Sequence, residues 1–385
     1  MKKPPFPDKI CLKPFEYLEI GTPKNGKVDC YSCCPTILPK PTGNLSKNTI
    51  EEVWNSDVYK DIRESIVDSS YRFCRHDLCP EIQSENLLDL GVVENTDFLR
   101  ALKSGDYTAL GNPKEINLAY DQTCNLACPS CRRDYITTNS EDNDAIMAKI
   151  TEDILSRDLT NTKIIACSSG DPFVSKHFRH LLFNLEGEKH PGLEIQLMTN
   201  GLMFNKLAWQ KLHKVHKNIK MTCVSIDASK PETYAITRRG GNWDTLMENL
   251  IFLSLLRERG ELSFLRLDFV VQDHNYKEIP EFIALGEKFK VDQVFFQKVA
   301  NWGTFSPIEY KERQVYNEEH PDFQQFLKVI KSEEMRKPIV NPGNFGHWVG
   351  PLKKKHSFNL INAVRHSLRK RWRGLQKQKA SKKPA

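Results

Sequence analysis

The sequence predicts an α/β protein, a partial (β/α)6 barrel of the TIM type, and three observations carry that reading. From residue 115 onward, strand-like runs alternate with amphipathic stretches, six strands are found, and the stretch is too short for a closed eightfold barrel, which takes ~250 residues. The strand-like runs are 115–121, 163–168, 194–199, 221–227, 264–272 and 293–299. Apolar residues at helical spacing fall between them at 145–156, 175–185, 205–213, 244–258 and 279–289. This alternation implies parallel strands joined by crossovers, with chemistry gathered at the carboxyl ends of the strands.

Elements flank the barrel on both sides. Residues 1–85 form a small Cys-rich module whose helix is predicted over 49–66, where Ile50, Val53, Trp54, Val58, Ile62 and Ile66 recur at helical spacing. Residues 86–114 read as a connector ending at Gly111-Asn112-Pro113, 115–305 as the barrel, 306–352 as an extension and 353–385 as a basic amphipathic tail. The 385-residue chain has a formal charge of +7, but the average misleads. The tail carries 12 Lys and Arg and no Asp or Glu, which leaves residues 1–352 at −5. In the tail, Ile361, Val364, Leu368, Trp372 and Leu375 line one helical face. Such a helix suits an anionic membrane surface or an acidic partner. No apolar run reaches the ~18 to 20 residues of a spanning helix, and Met1–Ile10 lacks the apolar region of a signal peptide. The expected location is cytoplasmic, with the tail peripheral to the inner face of the membrane.

Eleven cysteines are clustered. In a reducing compartment such clusters read as metal or redox sites. The isolated Cys167 and Cys223 read as small core residues. Cys124, Cys128 and Cys131 form C-x3-C-x2-C directly after the first strand. Three thiolates on one loop can each hold one iron of a four-iron cluster and leave the fourth iron open. Zinc with a distant fourth ligand is the alternative. The following strand ends carry Ser169-Gly170-Asp171-Pro172, Asn200-Gly201 and Ser225-Ile226-Asp227, the last followed by Arg238-Arg239-Gly240-Gly241. Each is an ordinary turn sequence taken alone; in order, they make one composite site.

Residues 115 to about 300 resemble the core of the radical S-adenosylmethionine (SAM) superfamily. The resemblance implies a four-iron four-sulfur cluster on Cys124, Cys128 and Cys131, with the amine and carboxylate of SAM on the open iron. It places the family's Gly-Gly-Glu-Pro motif on Ser169, Gly170, Asp171 and Pro172. Ser225, Asp227 and Asn200 stand at cofactor-facing polar positions, and Arg238 matches a basic residue for the carboxylate. Two departures are visible: Ser130 stands where an aromatic residue is common, and Ser169 and Asp171 replace a glycine and a glutamate.

The first 85 residues, with Cys11, Cys30, Cys33, Cys34, Cys74 and Cys79, resemble the SPASM-type auxiliary-cluster module, placed ahead of the core. The resemblance implies one auxiliary four-iron cluster on Cys11, Cys34, Cys74 and Cys79, with Cys30 and Cys33 as alternates; a zinc knuckle competes. Trp54 and Arg63 are expected to pack the module. The implied activity is reductive cleavage of SAM to a 5′-deoxyadenosyl radical, which takes hydrogen from a peptide, a protein or a cell-surface glycan precursor. A flavodoxin or ferredoxin would supply the electron. Asp268, Gln272, Gln297, Asn301 and Trp302 are candidates on the substrate side. Two other classes compete, a non-catalytic iron–sulfur electron carrier and a zinc-stabilised binding protein anchored by its tail. A carrier has no use for cofactor-shaped strand ends.

Overall fold

In the computed structural model, residues 6, 8–83, 87–137, 140–160, 162–166 and 168–350 are described. Cys167 and the basic tail fall outside the described residues. In chain order the strands are β1 (Lys9–Ile10), β2 (Tyr17–Ile20), β3 (Asp29–Tyr31), β4 (Gly43–Asn44), β5 (Leu88–Asp89) and β6 (Glu115–Leu118). They continue with β7 (Lys163–Ala166), β8 (Glu194–Thr199), β9 (Ile219–Ser225), β10 (Leu265–Val271), β11 (Gln293–Lys298) and β12 (Val340–Asn341).

The six expected strands are β6 to β11, and they pair in sequence order, all parallel. Their sheet is larger than the sequence indicates. β12 adds in parallel beyond β11, and β2 of the Cys-rich module adds in parallel beside β6, with Tyr17 opposite Glu115 and Ile20 opposite Leu118. β3 and β4 extend that edge antiparallel. The result is a partial TIM-type barrel, open between β12 and β4. The module therefore supplies a wall of the barrel.

Helices pack on the outer face through Leu181, Leu250, Leu253, Phe282 and Ile283, against Ile164, Leu197, Val224, Leu267 and Phe269 of the strands. All of these are essentially solvent-free, the pattern of parallel strands covered by crossover helices. A second, smaller apolar cluster of Ile10, Phe15, Ile66, Tyr71, Phe98 and Ala101 lies under the module's cysteines.

The helix expected over 49–66 is two helices, Ile50–Trp54 and Asp57–Val67. The break is capping chemistry. Ser56 adopts an extended conformation and its hydroxyl accepts from the Tyr59 amide, which starts a new helix. The connector holds a helix, Thr96–Ser104, capped by Asn95 and closed by Gly105 in the left-handed conformation. Arg63 and Trp54 pack the module, as expected. The Arg63 guanidinium is fully buried between the Trp54 and Tyr59 rings and donates to the carbonyls of Pro14, Trp54 and Tyr107 and to Asn55 Oδ1. Among the described residues no helix is long and apolar enough to cross a membrane.

Candidate functional site

The loop after β6 opens on Asp121, whose buried carboxylate fixes the turn. Its Oδ1 accepts from the Thr123 amide and hydroxyl, and its Oδ2 from the Ser175 hydroxyl. Cys124 pairs by its amide with the Ile136 carbonyl, and the Cys131 and Arg132 amides both donate to the Cys128 carbonyl. These bonds wrap the three-cysteine loop into a turn over the end of β6. Cys124 and Cys128 are buried, and Cys131 is exposed.

Each of the three sulfurs receives a nitrogen donor. Asn200, after β8, reaches Cys124 Sγ at 3.7 Å; Arg238, beyond β9, reaches Cys128 Sγ at 3.7 Å; Arg132 reaches Cys131 Sγ at 3.5 Å. Burial pushes the Cys124 thiol up to about 11, helped by nearby Asp171. Burial also raises Cys128, and Arg238 pulls it back. The loop is thus built to gain from thiolates that a metal group would hold deprotonated.

The turn after β7 is pressed onto this loop. A Cβ on Gly170 would lie 2.5 Å from the Asp121 carbonyl and 2.7 Å from that of Thr123, so only glycine permits the approach. The Asp171 amide donates to the Thr123 carbonyl. The Asp171 carboxylate is turned into the scaffold, accepting from the Phe173 and Asn200 amides and the Thr199 hydroxyl. The Ser169 hydroxyl donates to the Ala119 carbonyl. In this motif the side chains join strand ends, and Pro172 is buried behind them.

Asp227 sits at φ 59°, a left-handed conformation that aspartate tolerates better than most residues. Its carboxylate accepts from the Val270 amide at 2.7 Å and pairs with Arg238 at 2.8 Å. Burial pushes the Asp227 carboxyl up while Arg238 pulls it down. Burial disfavours the Arg238 charge, but Asp227 and Cys128 outweigh it and hold the guanidinium protonated. Among the described residues, Arg238 Nε and Tyr234 Oη are buried without a hydrogen-bond partner. Ser225, at the end of β9, lies opposite Asp268 of β10. Asp268 is held by Arg266 through two bonds of 2.6 and 2.9 Å. Asn301 closes its own loop through Gly303 and Phe305, Trp302 is exposed, and Gln272 is buried. Cys223 is a buried core residue of β9, as expected.

In the module, Cys11, Cys74 and Cys79 pack on the smaller apolar cluster. Burial pushes Cys11 up to about 11, with Cys79 adding, and Cys74 up to about 12, with Cys11 and Cys79 adding. Cys33 is pushed up to about 12 by burial and then by Cys11, whereas the Cys34 sulfur lies 3.0 Å from the Thr36 hydroxyl. Cys30 is fully buried within β3, and the charges acting on it are Asp29 and Glu19, not cysteines. Among the described residues no three His, Cys, Asp or Glu side chains converge to hold a single metal ion, as tetrahedral zinc asks. The nitrogen donors on Cys124, Cys128 and Cys131 suit thiolates, the form in which cysteines hold an iron–sulfur cluster.

Sequence reasoning missed Arg132, Asn125 and Asp121. Asn125 accepts from Asn200 at 2.8 Å and couples the loop to β8. Arg132, next to a cysteine ligand candidate, was the one visible signal.

A parallel partial barrel with a three-cysteine loop and donor-bearing strand ends defines a class of cluster-dependent enzymes. The family model of the radical SAM superfamily matches residues 122–265, and that of an iron–sulfur cluster-binding domain, SPASM, matches residues 11–80. The chain therefore carries a radical SAM domain, with a SPASM domain ahead of it. The radical SAM domain implies a four-iron four-sulfur cluster and SAM, and the SPASM domain implies an auxiliary iron–sulfur cluster. Among solved structures, SuiB of Streptococcus suis is 16% identical with a TM-score of 0.41, covering 64% of this chain and 51% of that one. SuiB bound to the precursor peptide SuiA is 14% identical with a TM-score of 0.40, covering 77% and 65%. The enzyme anSMEcpe with bound AdoMet is 15% identical with a TM-score of 0.41, covering 56% and 58%. The chain thus spans about half the length of the first of these. No curated protein matches the sequence.

Proposed function

We propose that Cys124, Cys128 and Cys131 hold the SAM-binding cluster and that the chain uses it to modify a peptide or protein. The observation that carries this reading is the donor on each of the three sulfurs, from Asn200, Arg238 and Arg132. A carrier of electrons needs thiolates, but it does not need a buried arginine with a spare Nε beside them. When bound, the cluster and SAM supply reductive cleavage of a carbon–sulfur bond and a radical that takes hydrogen from an unreactive carbon.

The chain's residues bind, orient and exclude water. Arg238 offers its unpartnered Nε to the SAM carboxylate. Gly170 brings the backbone of Ser169 to Pro172 against the cysteine loop, and that backbone would hold the SAM amine. Ser225, Asp227 and Asn200 border the same face. In the module, Cys11, Cys74 and Cys79 with Cys33 or Cys34 hold the auxiliary cluster. The domain boundaries proposed from the sequence are 85, 114, 305 and 352. A flavodoxin or ferredoxin supplies the electron, and the 353–385 tail contacts an anionic surface. A lipid-linked glycan precursor is the competing substrate class.

The test is anaerobic reduction with dithionite in the presence of SAM, followed by chromatography for 5′-deoxyadenosine. We expect release that candidate peptides accelerate and that Cys124→Ala abolishes. A loaded protein that releases none would overturn the reading.

A further inference from the structure

Arg132 follows Cys131 directly and is only 9% exposed. Its Nη1 donates to the Gln122 carbonyl at 2.5 Å, and its Nη2 to the Ser169 carbonyl at 2.5 Å and to Cys131 Sγ at 3.5 Å. One guanidinium therefore ties the cysteine loop to the ends of β6 and β7.

Its charge is unbalanced. Two other largely buried arginines each have a carboxylate, Asp227 for Arg238 and Asp268 for Arg266. Arg63 has none but lies between two aromatic rings. Among the described residues, Arg132 has neither a carboxylate at ion-pair distance nor an aromatic ring. The groups whose charge acts on it are Cys131, Cys124 and Cys128. A buried cation whose partners are two carbonyls and a thiol sulfur is expensive, because hydration is lost and no anion replaces it. The missing anion is the one that three thiolates and their cluster would bring.

We propose that Arg132 is the fixed counter-charge of the three-cysteine cluster, placed to stabilise its reduced state. This rests on the assignment of Cys124, Cys128 and Cys131 as ligands. Reduction adds one electron, and so one negative charge, without making or breaking a bond. A cation held beside a ligand sulfur lowers the energy of that state and raises the reduction potential. Arg132 is a positioning residue, since it acts through the ligand sulfurs.

The experiment is a dithionite titration of reconstituted full-length protein, followed by electron paramagnetic resonance, with Arg132→Gln and Arg132→Lys. The relevant signal is the one that SAM perturbs. We expect Arg132→Gln to lower the reduced-to-oxidised ratio about tenfold at a fixed solution potential, equal to 59 mV for one electron. Arg132→Lys should stay near wild type, because it keeps the charge. Equal ratios in wild type and Arg132→Gln overturn the proposal. So does Arg132→Lys falling with Arg132→Gln, or both variants failing to bind iron, since each means a brace rather than a counter-charge. If wild type itself has no signal that SAM perturbs, the ligand assignment fails instead, and the two failures are distinct.

Discussion

The buried pair Asp227–Arg238 gives the sharpest test of how the site is held. Asp227 is 1% exposed and its carboxylate lies 2.8 Å from the guanidinium. At that separation, and an effective dielectric of about 20, the attraction is about 6 kcal/mol, most of it offset by lost hydration. Removing one partner leaves the other charged and buried, which costs about 3–5 kcal/mol. Asp227→Asn isolates the charge, because asparagine also tolerates the left-handed φ of 59°. Urea unfolding of the iron-free protein should show that loss as a lower midpoint with an unchanged slope. Adding Arg238→Met should recover much of it, with a coupling of about 2 kcal/mol in the double-mutant cycle. A single-variant loss below about 1 kcal/mol, with additive effects, would refute the pairing as the feature that fixes this corner.

Cys30 is buried in β3, where Asp29 and Glu19 are the charges that act on it. Cys30→Ser should cost about 1–3 kcal/mol from an unpartnered hydroxyl, while bound iron stays unchanged by chemical assay. The thiols of Cys11, Cys124, Cys33 and Cys74 are raised above the ordinary 9.0, to about 11 or 12. Their folded-state values exceed the unfolded ones, so their contribution is full below pH 9 and is lost as pH rises toward 12. Thermal melts of iron-free protein should therefore fall across that window, more steeply than melts of a variant with the four replaced by alanine. Arg63→Lys should cost about 3 kcal/mol, since a lysine strands buried carbonyls among those of Pro14, Trp54 and Tyr107; denaturant unfolding checks it.

The barrel was legible because crossover helices and buried strands leave periodic signals, and β6 to β11 fall where alternation puts them. The captured strands were not. Tyr17–Ile20 is four residues long, and its partner Glu115–Leu118 lies far along the chain, so no local pattern announces the pairing. The split at Ser56 was missed because the apolar spacing runs on through it, whereas one hydroxyl bond decides the break. At the site, cysteine spacing and glycine turns mark the loop and its neighbours. Side-chain roles do not follow from position. Asp171 turns inward to bind β8, and Asn200 and Arg238 meet sulfurs, which depends on how the strand ends are brought together.

The central claim is that two separate sets of cysteines hold two clusters. Iron and sulfide counted after anaerobic reconstitution test it most directly, comparing wild type with a variant in which Cys124, Cys128 and Cys131 are all alanine. Two four-iron clusters require about eight of each in wild type and about four in the variant. Zinc in place of iron, or an iron count that the triple substitution leaves unchanged, would contradict it.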